Sequence, residues 1–157
     1  PDRAWCGTVT FHWACPVGRV PGPMRAPTLF LDGTGEGPVN HAACLSSVAP
    51  EYAPAGQALV MLNMVDIDWS TESMSSVTAR MVAQMERWFG PGAMRGWHLL
   101  RTDRILRALP RQRTQDLHSR PSTELDDGIF VAGDHVTDGS IDGAVRSGLR
   151  AAEAVLK

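Results

Sequence analysis

The spacing of apolar positions changes several times along this 157-residue chain, and each change marks an element. Residues 8–13, Thr-Val-Thr-Phe-His-Trp, are β-branched and aromatic and predict a strand. Residues 15–27 hold Pro16, Pro21, Pro23 and Pro27 with Gly18 and Gly22. They predict a loop, because proline fixes φ and offers no ladder donor. Thr28-Leu29-Phe30-Leu31 predicts a second, short strand. Residues 39–48 are small and apolar and predict a strand, with a short helix as the alternative; Pro50 and Pro54 bracket the next loop. Residues 57–65, Gln-Ala-Leu-Val-Met-Leu-Asn-Met-Val, form a near-continuous apolar run. Such a run predicts a strand covered on both faces.

Helical periodicity begins at residue 70. Met74, Val77, Met81, Met85 and Trp88 recur at spacings of three and four and predict one apolar face on a helix over 70–89. Ser70 or Thr71 is placed to cap it, Glu72 lies in its first turn, and Gly90-Pro91-Gly92 ends it. The methionine stripe reads as core, with a ligand tunnel as the sharper alternative. Residues 97–109 contain a further strand, placed at 97–106 and broken by Pro110. Residues 117–127 are polar and turn-rich. Residues 128–133 predict a buried strand, and Ser140 or Asp142 starts a helix that runs to the end of the chain.

Composition narrows the class. A hydrophobic content of 43% and a charged content of 20% are those of a globular domain. The net charge of −2 gives no general reason to expect nucleic acid or an anionic membrane as partner. Arg101, Arg104, Arg107, Arg111, Arg113 and Arg120 crowd one stretch. They read as a solvated face, or one that meets acidic groups of another segment, rather than a phosphate patch, because no aromatic residues interleave them. Cys6, Cys15 and Cys44 are odd in number and lack paired spacing, which argues against a disulfide framework. No apolar run is long enough to span a membrane and no leader is visible, so the expectation is a cytoplasmic protein without a transmembrane segment. The chain opens at Pro1 and is in strand almost at once, which reads as entry partway into a longer protein.

Two glycine-rich stretches follow predicted strands. Asp32-Gly33-Thr34-Gly35-Glu36-Gly37-Pro38 places its third glycine one position early for a dinucleotide loop, and Glu36 would face a pyrophosphate. It reads as a hairpin turn. The second stretch, residues 130–148, is a strand, a tight polar loop and a helix start. Unpaired amides and the positive helix end converge there, a geometry suited to an electron-rich ligand. Gly133 and Gly139 let backbone approach a ligand, and Gly143 and Ala144 are expected to leave room above the amides. A carboxylate at Asp134 can accept hydrogen bonds from sugar-type hydroxyls.

This second stretch resembles the C-terminal signature of the flavin amine oxidase and phytoene desaturase-like flavoproteins. The matching pieces are Ala132-Gly133-Asp134 and Ser140-Ile141-Asp142-Gly143-Ala144-Val145-Arg146-Ser147-Gly148, running into Ala151-Ala152-Glu153-Ala154. Residues 105–110 are similar to the family's stretch that leads back toward the flavin. The resemblance implies FAD as cofactor, with Gly133, Asp134, Ser140, Ile141, Gly143 and Ala144 as its contacts. The residue matching Asp134 would touch the ribityl–pyrophosphate part, and the backbone of 141–145 would lie under the pyrimidine edge of the ring. A helix start aimed there stabilises the negative charge of reduced flavin.

The fold class implied is α/β or α+β. Residues 1–125 would form a mixed-sheet portion of a substrate-binding domain. Residues 126–157 would supply the terminal strand–loop–helix of a Rossmann-like FAD-binding domain whose G-x-G-x-x-G unit is not in this sequence. The implied reaction is hydride transfer from a small organic substrate, an amine or a polyene-like molecule, to flavin N5. The missing FAD-binding segment, or a partner chain carrying it, would complete the site, and the chain by itself would be inactive. The alternative is a flavoprotein-derived binding module without catalysis. No catalytic acid, base or nucleophile stands out. His12, His41, His98, His118 and His135 are scattered, and His41 with Cys44 lacks the further ligands a metal needs. Asp134-His135 is read as adjacency and not a triad; if the backbone is extended, the two side chains lie on opposite sides of it.

Overall fold

A computed structural model describes residues 5–112, 122–125 and 128–156. They fall into two compact units, Gly7–Ile105 and a second one made of Trp5 and Cys6 with the described residues from Leu106 onward. The chain passes from one unit to the other between Ile105 and Leu106.

The strands are β1 (Trp5–Pro16), β2 (Leu29–Leu31), β3 (His41–Cys44), β4 (Gln57–Val65) and β5 (His98–Pro110), and they lie in the order β2-β3-β4-β1-β5. The expected α+β arrangement is present, and β1/β4, β3/β4 and β2/β3 all pair antiparallel. Strand β4 has the predicted bounds. Residues 39–48 divide between the two readings: β3 comes first, and a single turn of helix, α1 (Leu45–Val48), follows it. Strand β5 runs on to Pro110, past the break expected at residue 108, because a proline can end a strand without needing a donor there.

Alternation along the strands sorts the sheet into two faces. Val9, Phe11, Trp13 and Cys15 of β1 lie opposite Met64, Leu62, Val60 and Ala58 of β4. All are buried, in one cluster with Ala42, Cys44, Val77, Met81 and Met85. The other face of β4, at Leu59 and Met61, is only half-buried, so the cover expected on both sides exists on one. Helix α2 (Met74–Phe89) covers that core face. Val77, Met81 and Met85 are its buried stripe, which makes the methionines core, whereas Met74 at the helix start is 43% exposed.

The cap of α2 is Ser73, whose Oγ accepts Ser76 N–H at 3.1 Å, not Ser70 or Thr71. Asp68 claims those two residues for a turn of its own. Its carboxylate accepts Ser70 N–H and Ser70 Oγ–H, and its carbonyl accepts Thr71 N–H. Gly90 ends the helix at φ +93°, as its glycine requires.

The stretch 32–38 is the β2–β3 connection. Asp32 Oδ1 accepts Thr34 N–H at 3.0 Å and its hydroxyl at 2.8 Å, and these bonds hold the carboxyl below the usual aspartate range. Gln84 of α2 reaches into this turn. Its Oε1 accepts Val39 N–H at 2.7 Å and its Nε2 donates to Val39 O at 2.9 Å. A Cβ on Gly37 would collide with the Gln84 amide, so that glycine serves packing against Gln84.

In the second unit, residues 128–133 do not make the buried strand expected. They form one bridge, Glu124 to Phe130, flanked by Leu125 N–H to Ile129 O and Val131 N–H to Thr123 O, and Ile129 is 60% exposed. A strand is buried only by neighbours on its edges and faces, and among the described residues only 123–125 pair with this one. Helix α3 (Ile141–Val155) follows, with Ser140 as its cap.

Candidate functional site

The loop between Ala132 and α3 is built from short-range bonds. Gly133 has φ +146° and ψ 170°, a region only glycine occupies readily, and a Cβ there would also strike the His135 imidazole. Its N–H donates to Ser147 Oγ at 3.0 Å, which ties the loop to the buried side of α3 nearly two turns beyond its start. Asp134 to Val136 make a turn of 3-10 helix closed by Thr137 N–H to Asp134 O. Because the chain coils here instead of extending, the Asp134 carboxylate and His135 Nδ1 come within 3.9 Å. The condition under which the two side chains would diverge, an extended backbone, does not hold here. Gln112 Nε2 donates to Thr137 O at 2.9 Å and steadies the far side of the loop.

The structure brings Gly133, Asp134, Ser140, Ile141, Gly143 and Ala144 together in this loop and the first turn of α3. Their surroundings differ from expectation in two respects. Ser140 Oγ accepts Gly143 N–H at 2.9 Å and Ser140 O accepts Ala144 N–H at 3.0 Å, so neither amide is spare. The space above Gly143 is also taken, because a Cβ there would run into the Asp138 carbonyl and the Thr137 hydroxyl. Gly143 is small so that the chain's own loop can cross the helix. The Ile141 and Asp142 amides have no partner among the described residues, and Ile141 is 88% exposed.

Electrostatically this helix start is not a bare positive end. Asp138 bonds Ser140 Oγ, and Arg146 Nη2 pairs with Asp138 Oδ2 at 2.7 Å and Asp142 Oδ2 at 2.8 Å. Arg146 therefore bridges the loop carboxylate of Asp138 and the first-turn carboxylate of Asp142. Farther along, Arg150 Nε and Nη2 are buried without partners among the described residues. The apolar residues Ile141, Val145, Leu149 and Leu156 are exposed.

A second candidate surface lies on the sheet face away from α2, in the unit 7–105. Register places Leu31, His41, Asn63 and Thr10 in one row and Leu29, Ala43, Met61 and His12 in the next. Asn63 Nδ2 donates to both Thr8 Oγ1 and Thr10 Oγ1 at 2.8 Å, which fixes the amide with its carbonyl oxygen as the remaining acceptor. His12 Nε2 lies 3.4 Å from Asp103 of β5. Burial holds the His41 imidazole below its ordinary range, so it is neutral at neutral pH. Sequence reasoning missed this group. The alternation Thr8, Thr10, His12 was a readable signal of a shared face, but partners from β3, β4 and β5 were not readable. Of the arginines in the basic stretch, Arg101 pairs with Asp103 and Arg104 stacks 4.6 Å over Trp69. Arg113 and Arg120 lie outside the described residues.

No helix of the described residues is long and apolar enough to cross a membrane. Comparison with curated proteins finds no match. Among solved structures, the chain is similar to an oxidoreductase from Methanosarcina mazei, with 15% identity, a TM-score of 0.67, and 97% of this chain covering 35% of that one. It is also similar to a protein from Pyrococcus furiosus, with 15% identity, a TM-score of 0.57, and 99% covering 32%. A reduced UDP-galactopyranose mutase matches with 13% identity, a TM-score of 0.53, and 69% covering 23%. At these identities the likeness is one of fold, and the chain spans about a third of the length of the first of these relatives. The family model described as flavin containing amine oxidoreductase matches residues 19–156, nearly the whole chain, and the protein belongs to that family.

Proposed function

We propose that this chain is the C-terminal part of an FAD-dependent oxidoreductase that removes hydride from a small organic substrate. The observation that carries the reading is the pair of unpartnered amides, Ile141 and Asp142, on the open end of α3 beside the half-exposed Asp134 carboxylate. This donor and acceptor set fits a flavin. The amides would hold the pyrimidine edge of its ring, and Asp134 would accept bonds from ribityl hydroxyls. Because Ser140 takes the Gly143 and Ala144 amides, few donors remain here for a pyrophosphate, which would be held by a glycine-rich loop in the rest of a longer protein or in a partner chain. When bound, the flavin supplies a hydride-accepting N5. The exposed apolar side of α3 is the surface that the remaining FAD-binding half would cover.

The unit 7–105 is assigned the substrate side. Its half-buried sheet face sets the Asn63 carbonyl oxygen, neutral His41 and the His12–Asp103 pair among Leu29, Leu31, Leu59 and Met61. That mixture suits a substrate with an apolar body and one donor group, which favours an amine over a plain polyene. The test is spectroscopic. The protein is purified alone and again together with the coding sequence that precedes it, and flavin absorption is recorded for each. Flavin retained only by the longer form, and held about tenfold more weakly by its Asp134→Leu variant, is the expected result. A colourless longer form would sink the reading in favour of a binding module without cofactor.

A further inference from the structure

We propose a second binding site, unrelated to the flavin reading: a cleft at the Pro16/Gln57 end of the sheet that takes a small aliphatic monocarboxylate. The cleft measures about 370 Å³, at the small end of ligand sites. It is walled by the turn after β1, the loop before β4 and the first residues after β3. Val17 N–H donates to Gly56 O at 3.0 Å and closes its floor. Val20, Ala55 and neighbouring prolines make most of the lining apolar.

Its one charged lining residue is Arg25. Nε donates to Val20 O at 3.0 Å and Nη2 to Gly18 O at 3.1 Å, so two backbone carbonyls orient the guanidinium. No carboxylate partners it among the described residues, and no acid lines the cleft. An arginine positioned in this way keeps further N–H donors in a planar fork that matches a carboxylate. Ser46 adds a hydroxyl. Its Oγ accepts Leu59 N–H at 3.0 Å and lies 3.4 Å from Cys44 Sγ, with either atom able to donate. One positive charge against an apolar wall selects a monoanion with a short hydrocarbon tail over a phosphate, which would need more donors.

The experiment is an NMR titration of the full chain with sodium butyrate, with butyramide, butanol and sodium chloride as controls. The expected result is saturable movement of the Val20, Gly56 and Leu59 amide signals with butyrate alone, in the millimolar range expected of one charge-assisted contact. Arg25→Gln should weaken that binding about tenfold. Because Arg25 also braces its own turn, Ala55→Phe provides a second variant that fills the mouth and leaves Arg25 in place, and it too should abolish the movement without lowering the unfolding temperature. Equal response to butyrate and butyramide overturns the proposal, as does the same response to chloride, or butyrate binding that Ala55→Phe leaves unchanged.

Discussion

Gln84 shows how much one polar side chain can organise. It is fully buried on the helix face that packs the core, and it completes both hydrogen bonds of Val39, itself fully buried. Gln84→Ala would strand a buried N–H and a buried C=O, at a cost on the order of 3 kcal/mol. Urea unfolding would read this as a lower midpoint at unchanged slope. His41 makes a prediction in pH. Its folded imidazole binds a proton less readily than the unfolded chain's, which titrates near 6.5. The unfolded state therefore binds more protons as pH falls through that value, and stability declines on the acid side. His41→Gln should flatten the decline between neutral pH and about pH 5.5, as followed by thermal unfolding. Neither role was legible beforehand. A glutamine on the apolar face of a helix, and a histidine between small residues, signal burial without naming the partner that makes burial tolerable.

At the scale of elements, local sequence was a good guide where one residue type dictates the backbone. Gly90 ended α2, the proline-rich run 15–27 left the sheet from Val17 on, after Cys15 and Pro16 had paired with β4, and the apolar run 57–65 became β4. It misled where neighbours compete for the same bonds. Ser70, Thr71 and Ser73 are all eligible caps, and the outcome turned on Asp68 holding the first two. Ser73→Ala should therefore cost about 1 kcal/mol and Ser70→Ala much less, a difference that paired denaturation curves would resolve. The same competition operates at α3. Asp138 was read as loop and Ser140 as a candidate helix start, yet the one occupies the space over Gly143 and the other takes its amide. The unpartnered amides are those of Ile141 and Asp142.

At the scale of the whole molecule, α3 carries exposed Ile141, Val145, Leu149 and Leu156, while the core of the other unit is closed around Met81 and Leu62. Leu149→Asp should leave the unfolding temperature of this chain within experimental error of the parent. It should also block flavin retention when the remainder of the FAD-binding half is present, as read from the spectrum of the purified protein. Loss of folding in the chain alone would show that the face is already packed. What the sequence determined by itself was the family and most of the strand and helix alternation. These depend on backbone demands and an ordered motif that short-range chemistry expresses. Only tertiary structure decided which amides of the first turn of α3 stay open among the described residues, that His12, His41, Asn63 and Asp103 share one sheet face, and that among the described residues 128–133 pair only with 123–125. Each of those depends on partners brought together from strands far apart in the chain, and on competition for hydrogen bonds that a linear pattern does not record.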